Sequence, residues 1–411
     1  MKRISRLALP GFLLGLLLSS LLTPQAQSFR QDRFAIGYWV GPQTKENVEQ
    51  RYREIADAHF NLVVGTPAIS ATQQLDLCNQ LGLRALVESA EPTENLPDGP
   101  ACWGYLLTDE PSTADFPKLG ARASEIRAKR PGRFGYVNLF PNYANSTQLG
   151  AASYDDYISK FIEIVKPEVL SMDHYPAMRP DSDTRDAYCK NLETFRQHAL
   201  RARIPFWNYF YSMPFANRMD PTEAQIRWQI FTSIAYGAKG ILYFCYWTPG
   251  KGNGGTGEFP KGGALITAEG RRTRHYDEAR RINLELQAWG PTLMKLTCLN
   301  AFRYRSDQPV SSLAQSSIKS LTRLPTDPEV EFIVGSHQHQ DGRRAVVLVN
   351  HSYSHTAWPT VNFDASIQSI VEVDKSSGAE SPLLDDSPEL PGIQLSFGPG
   401  DARLFLLPAS K

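Results

Sequence analysis

Trp103-Gly104-Tyr105-Leu106-Leu107-Thr108-Asp109-Glu110-Pro111 decides how the chain is read. An apolar run of strand type ends on two adjacent carboxylates, and a proline stops the ladder behind them. Parallel barrels carry their chemistry at the C-terminal ends of their strands. If 103–108 is such a strand, Glu110 stands at the mouth of a site. That reading requires seven more strands.

The chain supplies them. Short runs rich in β-branched and aromatic residues recur at 34–40, 61–65, 84–88, 134–139, 169–173, 206–211 and 240–246. They are continuously apolar rather than alternating, as parallel strands buried on both faces are. Helical patterns fill the spaces at 46–59, 70–81, 116–129, 155–165, 185–202 and 223–236, and a long final helix spans 273–296. Eight βα units predict an α/β fold, a (β/α)₈ TIM barrel over 28–296. A doubly wound open sheet is the competitor. It calls for a glycine-rich phosphate turn after the first strand, where this chain reads Gly37-Tyr38-Trp39-Val40-Gly41. Past Thr297 the rhythm changes. Runs at 332–335, 344–350, 370–374, 393–397 and 402–407, separated by Gly, Pro, Asp and Ser turns, predict a small all-β, sandwich-like domain over 297–411. Its few aromatics favour a structural role.

Composition narrows the function. The chain has 411 residues, 42% apolar and 21% charged, with a formal net charge of zero. No basic run offers a nucleic-acid footprint. Seven Trp, 17 Tyr and 20 Phe offer flat faces for stacking against sugar rings. Lys2, Arg3 and Arg6, an apolar stretch over 7–22 and a small polar exit read as a signal peptide over 1–27. The expectation is a secreted or periplasmic protein, with no membrane association after signal removal. Cys78, Cys102, Cys189, Cys245 and Cys298 are scattered without metal spacing, so no metal is expected, although an oxidising compartment permits a disulfide among them.

The strand ends map the expected site. Tyr38 and Trp39 close the first run, Gly65 and Thr66 the second, Glu88 the third, and Asp109 and Glu110 the fourth. Asn138, then Asp173, His174 and Tyr175, then Asn208, Tyr209 and Tyr211, then Tyr246 and Trp247 close the rest. Aromatic planes with amides and carboxylates suit a neutral polyhydroxylated ligand, a carbohydrate. The candidate substrate-binding set is Tyr38, Trp39, Glu88, Asn138, His174, Tyr175, Asn208, Tyr211, Tyr246 and Trp247. A loop over 250–263 with seven glycines reads as a flap, and it carries Glu258.

Asp-Glu-Pro closing the fourth strand, Tyr-Trp closing the eighth and an appended β domain resemble the barrel glycoside hydrolases. Among them, secreted bacterial β-galactosidase-like enzymes carry the acid/base Glu at that strand end. The resemblance implies a glycosidase with Glu110 as general acid and no cofactor. It departs at the seventh strand. Where retaining members place a nucleophilic Glu, this chain reads Phe206-Trp207-Asn208-Tyr209-Phe210-Tyr211. Three alternatives stay open. Asp173 is the second carboxylate, as nucleophile or as base. Or Asp109 and Glu110 act as the adjacent pair of substrate-assisted N-acetylhexosaminidases, with Tyr175 or Tyr211 donating to the acetamido group. That requires the strand to end at Thr108, because neighbouring strand residues face opposite ways. Or the barrel binds carbohydrate without catalysis. A helix-capping role for Asp109 ahead of Ser112 is the structural competitor.

Overall fold

A computed structural model of the chain describes residues 28–64, 68–250, 263–325 and 327–409. The segment 1–27 expected to be a signal peptide, the rim positions Gly65 and Thr66, and Glu258 with most of its glycine loop lie outside the described residues.

Eight parallel strands form one sheet: β1 Ala35–Tyr38, β2 Leu62–Val64, β3 Arg84–Glu88, β4 Cys102–Asp109, β5 Phe134–Leu139, β6 Leu170–Asp173, β7 Phe206–Tyr211 and β8 Gly240–Phe244. Their order is β1-β8-β7-β6-β5-β4-β3-β2, so the two ends of the list are the first two strands. Asn61 closes that seam. Its backbone N–H donates to Ile36 O at 3.0 Å. Its amide accepts from Ile36 N and donates to Phe34 O, both at 2.9 Å. The side chain thus supplies ladder bonds that two backbones would otherwise leave unmade.

Period-two alternation sorts the barrel residues into two layers. Leu86, Trp103, Phe134, Tyr136, Trp207 and Tyr209 fill the interior. Residues one step along each strand face outward, under the helices. Phe29 plugs the bottom of the barrel, its ring 4.3 Å from Phe134 and 5.6 Å from Trp103.

Outside run α1 Val48–Asp57, α2 Ala71–Gln80, α3 Phe116–Lys129, α4 Tyr154–Val165, α5 Arg185–Ala202, α6 Glu223–Ala235 and α7 Arg274–Leu293. The expectation of eight βα units is corrected at the third. Between β3 and β4 the chain makes only a 3₁₀ turn, Thr93–Asn95. Pro92, Pro97, Gly99 and Pro100 leave no stretch there that could hold a helix. The final helix carries Pro291 inside it and stops at Leu293, not 296.

Among its described residues the C-terminal region has nine strands where five were expected. A six-stranded sheet runs from Leu296–Arg305 through Ala402–Leu407, and a three-stranded sheet contains Ile318–Thr322, Thr360–Phe363 and Ile393–Gln394. Leu296–Arg305 escapes a hydrophobicity reading because half its side chains meet water and it interleaves Thr, Asn and Arg. One face of the large sheet packs on the small one, around Phe332, Leu348 and Phe405. The other continues the barrel core through Ile333, Val347 and Leu404. The contact with α6 is backbone-close: a Cβ on Gly335 would lie 2.3 Å from Ala235 O. Trp228 Nε1 donates to His351 Nδ1 at 3.2 Å, and Trp289 Nε1 donates to Val373 O at 2.8 Å. This docking agrees with a structural role. All five cysteines are buried free thiols, so the permitted disulfide is not formed.

Asn61→Ala should lower the unfolding free energy by about 2–3 kcal/mol, since it strands two backbone groups at the seam. Urea denaturation checks it, and an effect below about 0.5 kcal/mol would mean that the seam does not depend on this side chain.

Candidate active site

The site begins with an extra residue near the C-terminal end of β4. Leu106 pairs with Tyr136, but Thr108 pairs with Val137 and Asp109 with Asn138. Leu107 is therefore a bulge. Without it, Thr108 would follow Gly104 and Leu106 into the barrel, and Asp109 would face the helices. With it, Asp109 stands level with the inward Asn138. Gly135 makes room for the displaced side chain: a Cβ there would lie 2.7 Å from Leu107 Cδ1.

The next residue departs as well. Glu110 has a φ of 46°, in the left-handed region that costs a non-glycine residue roughly 1–2 kcal/mol. Its N–H donates to Asn138 O at 2.9 Å, so the turn stays tied to the sheet. Tyr157 of α4 donates to Pro111 O at 2.7 Å and pins the exit. The strand thus runs through Asp109 instead of ending at Thr108, and the left-handed turn brings the adjacent carboxylate into the same pocket. Ser112 and Asp115 form their own capping box, so Asp109 is not a helix cap.

A relay of hydrogen bonds orders the acids. Ser171 Oγ donates to Asn138 Oδ1 at 3.1 Å and lies 2.7 Å from Tyr136 OH, which must then be the donor to it. The Asn138 amide is thereby oriented. Its Nδ2 donates to Asp109 Oδ1 at 3.1 Å and to Asp173 Oδ1 at 2.9 Å, using both of its hydrogens.

Burial and crowding set the charge state. Glu110 is pushed up to about 7, first by desolvation and then by the charge of Asp109, while a hydrogen bond with Asp173 opposes the rise. Asp173 is held well above the carboxylate range by burial and by the charges of Glu110 and Asp109. Asp109 is raised by desolvation and restrained by Asn138; water reaches it through the pocket mouth, although protein surrounds most of its carboxyl. Glu110 and Asp173 therefore form an interacting carboxyl pair that retains a proton near neutral pH.

The pocket around them has a volume of about 280 Å³, near the small end of ligand pockets. Asp109, Glu110, Asn138 and Asp173 meet there with aromatic walls from Trp39, Tyr143, Tyr175, Tyr209, Phe215 and Phe244, and with Arg218. The Tyr209 hydroxyl approaches Tyr136 without a well-directed hydrogen bond, which leaves it free for a ligand.

Six expected residues meet in this pocket: Asp109, Glu110, Asp173, Asn138, Trp39 and Tyr175. Seven do not line it. Tyr38 and Tyr246 are fully buried on the outer layer, their rings 4.7 Å apart. Asn208 donates outward to Tyr188 OH at 2.8 Å and to Ser233 Oγ at 3.2 Å. His174 Nδ1 bonds Asn191 Oδ1 at 2.9 Å, and burial pushes the imidazole down to about 4, so it is neutral. Gln229 of α6 brackets the Tyr211 backbone, accepting from its N–H and donating to its C=O. Trp247 is buried beneath the Arg51 guanidinium, which stands 5.4 Å from its ring centre. Glu88 is exposed at the end of β3. Alternation explains three of these: Tyr38, His174 and Asn208 are outward neighbours of the inward Trp39, Asp173 and Tyr209. The candidate set also lacked Tyr143, Tyr209, Phe215, Arg218 and Phe244. Parity would have found Tyr209 and Phe244; the other three sit on loops without a sequence signal. Among the described residues no group of three or more His, Cys, Asp or Glu is arranged to hold a metal.

No protein-family model matches the chain, and no curated protein matches it. Solved structures do. A catalytic mutant of a GH42 β-galactosidase from G. stearothermophilus superposes with a TM-score of 0.60 at 10% identity, covering 93% of this chain and 100% of that one. A β-galactosidase from Bacillus circulans sp. alkalophilus gives 0.56 at 9% identity, covering 91% and 99%. A Faecalibacterium prausnitzii β-glucuronidase gives 0.44 at 12% identity over 62% of this chain, which spans about half (49%) of that enzyme. At these identities the likeness to the two galactosidases establishes the fold: a TIM barrel with an appended β domain, as glycoside hydrolases have.

The carboxyl pair has a stability consequence. Glu110 binds its proton more tightly folded, at about 7, than at the ordinary 4.5. The folded state then holds the extra proton between those values, and stability falls as pH rises through them. Glu110→Gln should match wild type near pH 4 and exceed it by about 1–2 kcal/mol at pH 8, after discounting for solvent exposure. Denaturation at both pH values checks it. Equal curves at pH 8 would mean that the carboxyl is not strained by its surroundings.

Proposed function

We propose that the chain is an exported glycoside hydrolase acting by retention, with Glu110 as acid/base and Asp173 as nucleophile. The observation that carries this is that Glu110 and Asp173 line one aromatic-walled pocket, where Asn138 donates to Asp173. Two carboxyls sharing a proton divide the labour of glycosidic cleavage. Two carboxyls gathered in so small a pocket favour the closer spacing of retaining enzymes, about 5–5.5 Å, over the roughly 6.5–9.5 Å that admits a water between the carboxyls. The fold shared with β-galactosidases is compatible with it. The basic, apolar and small-residue succession over 1–27 supports export.

In the first step Glu110 gives its proton to the leaving glycosidic oxygen as Asp173 attacks the anomeric carbon. The C–O bond breaks and a glycosyl–Asp173 ester forms. In the second, Glu110, now a carboxylate, takes a proton from water, whose oxygen displaces Asp173 and restores the original configuration. Asp109, fixed by Asn138, keeps Glu110 protonated at neutral pH and adds negative charge beside the developing oxocarbenium ion. Two carboxyls suffice, so the reading needs no cofactor. A pocket of about 280 Å³ favours capture of a terminal sugar.

A second reading rests on the adjacency of Asp109 and Glu110 in the pocket: hydrolysis assisted by a 2-acetamido group that Asp109 orients. Tyr209, not Tyr211, is then the hydroxyl positioned to donate to it. Asp109→Asn losing more activity than Asp173→Asn, on 2-acetamido glycosides alone, would favour that reading.

An aryl-glycoside panel tests the proposal. Wild type should hydrolyse at least one member, and Glu110→Gln should lose at least ~100-fold in kcat on a substrate whose leaving group needs protonation. Asp173→Asn should lose a comparable amount. Undiminished activity in either variant would contradict its assigned role. For wild type, kcat/KM should fall above a pH of about 7, where Glu110 loses its proton. A profile flat to pH 9 would contradict Glu110 as the acid.

A further inference from the structure

Arg218 is the one basic side chain lining the described part of the pocket. It sits in a tight turn after β7. Its N–H donates to Phe215 O at 2.8 Å, and Ala216 inside the turn has a φ of 48°. Three side-chain contacts lock the guanidinium. Nε and Nη2 both donate to Tyr175 O, at 3.1 and 2.8 Å. Nη1 donates to Asn217 Oδ1 at 2.8 Å. The plane also lies over Phe215, 5.4 Å from the ring centre.

A guanidinium has five N–H donors. These contacts use three and leave one on each terminal nitrogen. Two such donors match a planar carboxylate in a bidentate bond. Among the described residues no carboxylate forms an ion pair with Arg218, although Asp109, Glu110 and Asp173 line the same pocket. A structural arginine of this protein usually finds an acid: Arg185, Arg196, Arg227 and Arg403 all do. Arg218 is instead held in place by a carbonyl and an amide, neither of which neutralises it. The pocket therefore presents proton-sharing acids for the chemistry and a separate, preorganised, uncompensated cation beside an aromatic wall.

We infer that Arg218 selects a sugar ring bearing a carboxylate, so that the substrate is a glycoside of a uronic acid. The inference rests on the glycosidase reading for its chemistry but not for its binding. It replaces the neutral ligand expected from the strand-end residues, because the sequence pattern gave no sign that Arg218 enters the pocket.

The test has two arms. In the first, wild type, Arg218→Gln and Arg218→Lys are assayed on α- and β-linked aryl glucuronides and galacturonides and on the matching glucosides and galactosides. Wild type should prefer a uronide. Arg218→Gln should lose ~30–100-fold in kcat/KM on it, with at most ~3-fold on the neutral glycoside, and Arg218→Lys should recover only part. A turn-stabilising role alone would lower both substrates together and overturns the inference, as does preference for a neutral glycoside. In the second arm, calorimetry measures binding of D-glucuronate, D-galacturonate, D-glucose and D-galactose to Glu110→Gln, and to the same protein carrying Arg218→Gln. One of the acids should bind at least ~10-fold more tightly than its neutral counterpart, with the advantage lost without Arg218. Equal binding, or no binding of any of the four, overturns it. If wild type hydrolyses nothing while the uronate binds through Arg218, the glycosidase reading fails and the carboxylate site stands.

Discussion

Side chains along a barrel strand alternate between interior and exterior, and the pocket depends on where β4 breaks that alternation. From Gly104 and Leu106 onward, an unbroken β4 would aim Thr108 inward and Asp109 at the helices. The bulge at Leu107, accommodated by the bare Cα of Gly135, reverses the parity for the last residues of the strand. The left-handed turn at Glu110 then aims a second carboxylate the same way. Both departures cost conformational energy, and backbone bonds to β5 and the Tyr157 hydroxyl hold them in place. Strain of this kind persists where the surroundings over-determine it.

The remaining chemistry follows from crowding three acids into one small volume. They could not all ionise there without large repulsion. The Asn138 amide, oriented by Ser171 and Tyr136, relieves part of it by donating to Asp109 and Asp173. Glu110 receives no such donor from Asn138 and keeps its proton to about 7. The amide only restrains the rise of Asp173, which burial and the neighbouring charges still hold well above the carboxylate range, so Glu110 and Asp173 hold a proton between them near neutral pH. The same arrangement makes the folded protein less stable as it loses that proton, so the site is a stability cost that the barrel core and the docked β domain must offset.

Much of this was legible in the sequence, for identifiable reasons. The eight strands announced themselves because buried parallel strands are apolar throughout, and Asp109-Glu110 because a carboxylate pair before Pro111 is conspicuous. Asn138 and Asp173 followed from strand ends. The same apolar continuity hid which face each residue takes, so Tyr38, His174, Asn208 and Tyr246 were read into a site that they back from behind. Applying the two-residue period from Asp173 and Trp207 would have replaced Asn208 with Tyr209. Arg218 was beyond reach. It enters the pocket through a loop turn whose geometry depends on Ala216 in the left-handed region, and no periodicity encodes that. The C-terminal edge strands escaped because strands half open to water carry too few apolar residues to stand out.

The central claim is that Asp173, standing against a protonated Glu110, attacks the anomeric carbon. The most direct measurement is peptide mass spectrometry after incubation with a 2-deoxy-2-fluoro glycoside bearing a good leaving group, which slows breakdown of a covalent intermediate. The account predicts one fluoroglycosyl unit per chain, on the peptide containing Asp173 and absent from Asp173→Asn. Turnover of the reagent with inverted product and no adduct, or an adduct on a different residue, would contradict it.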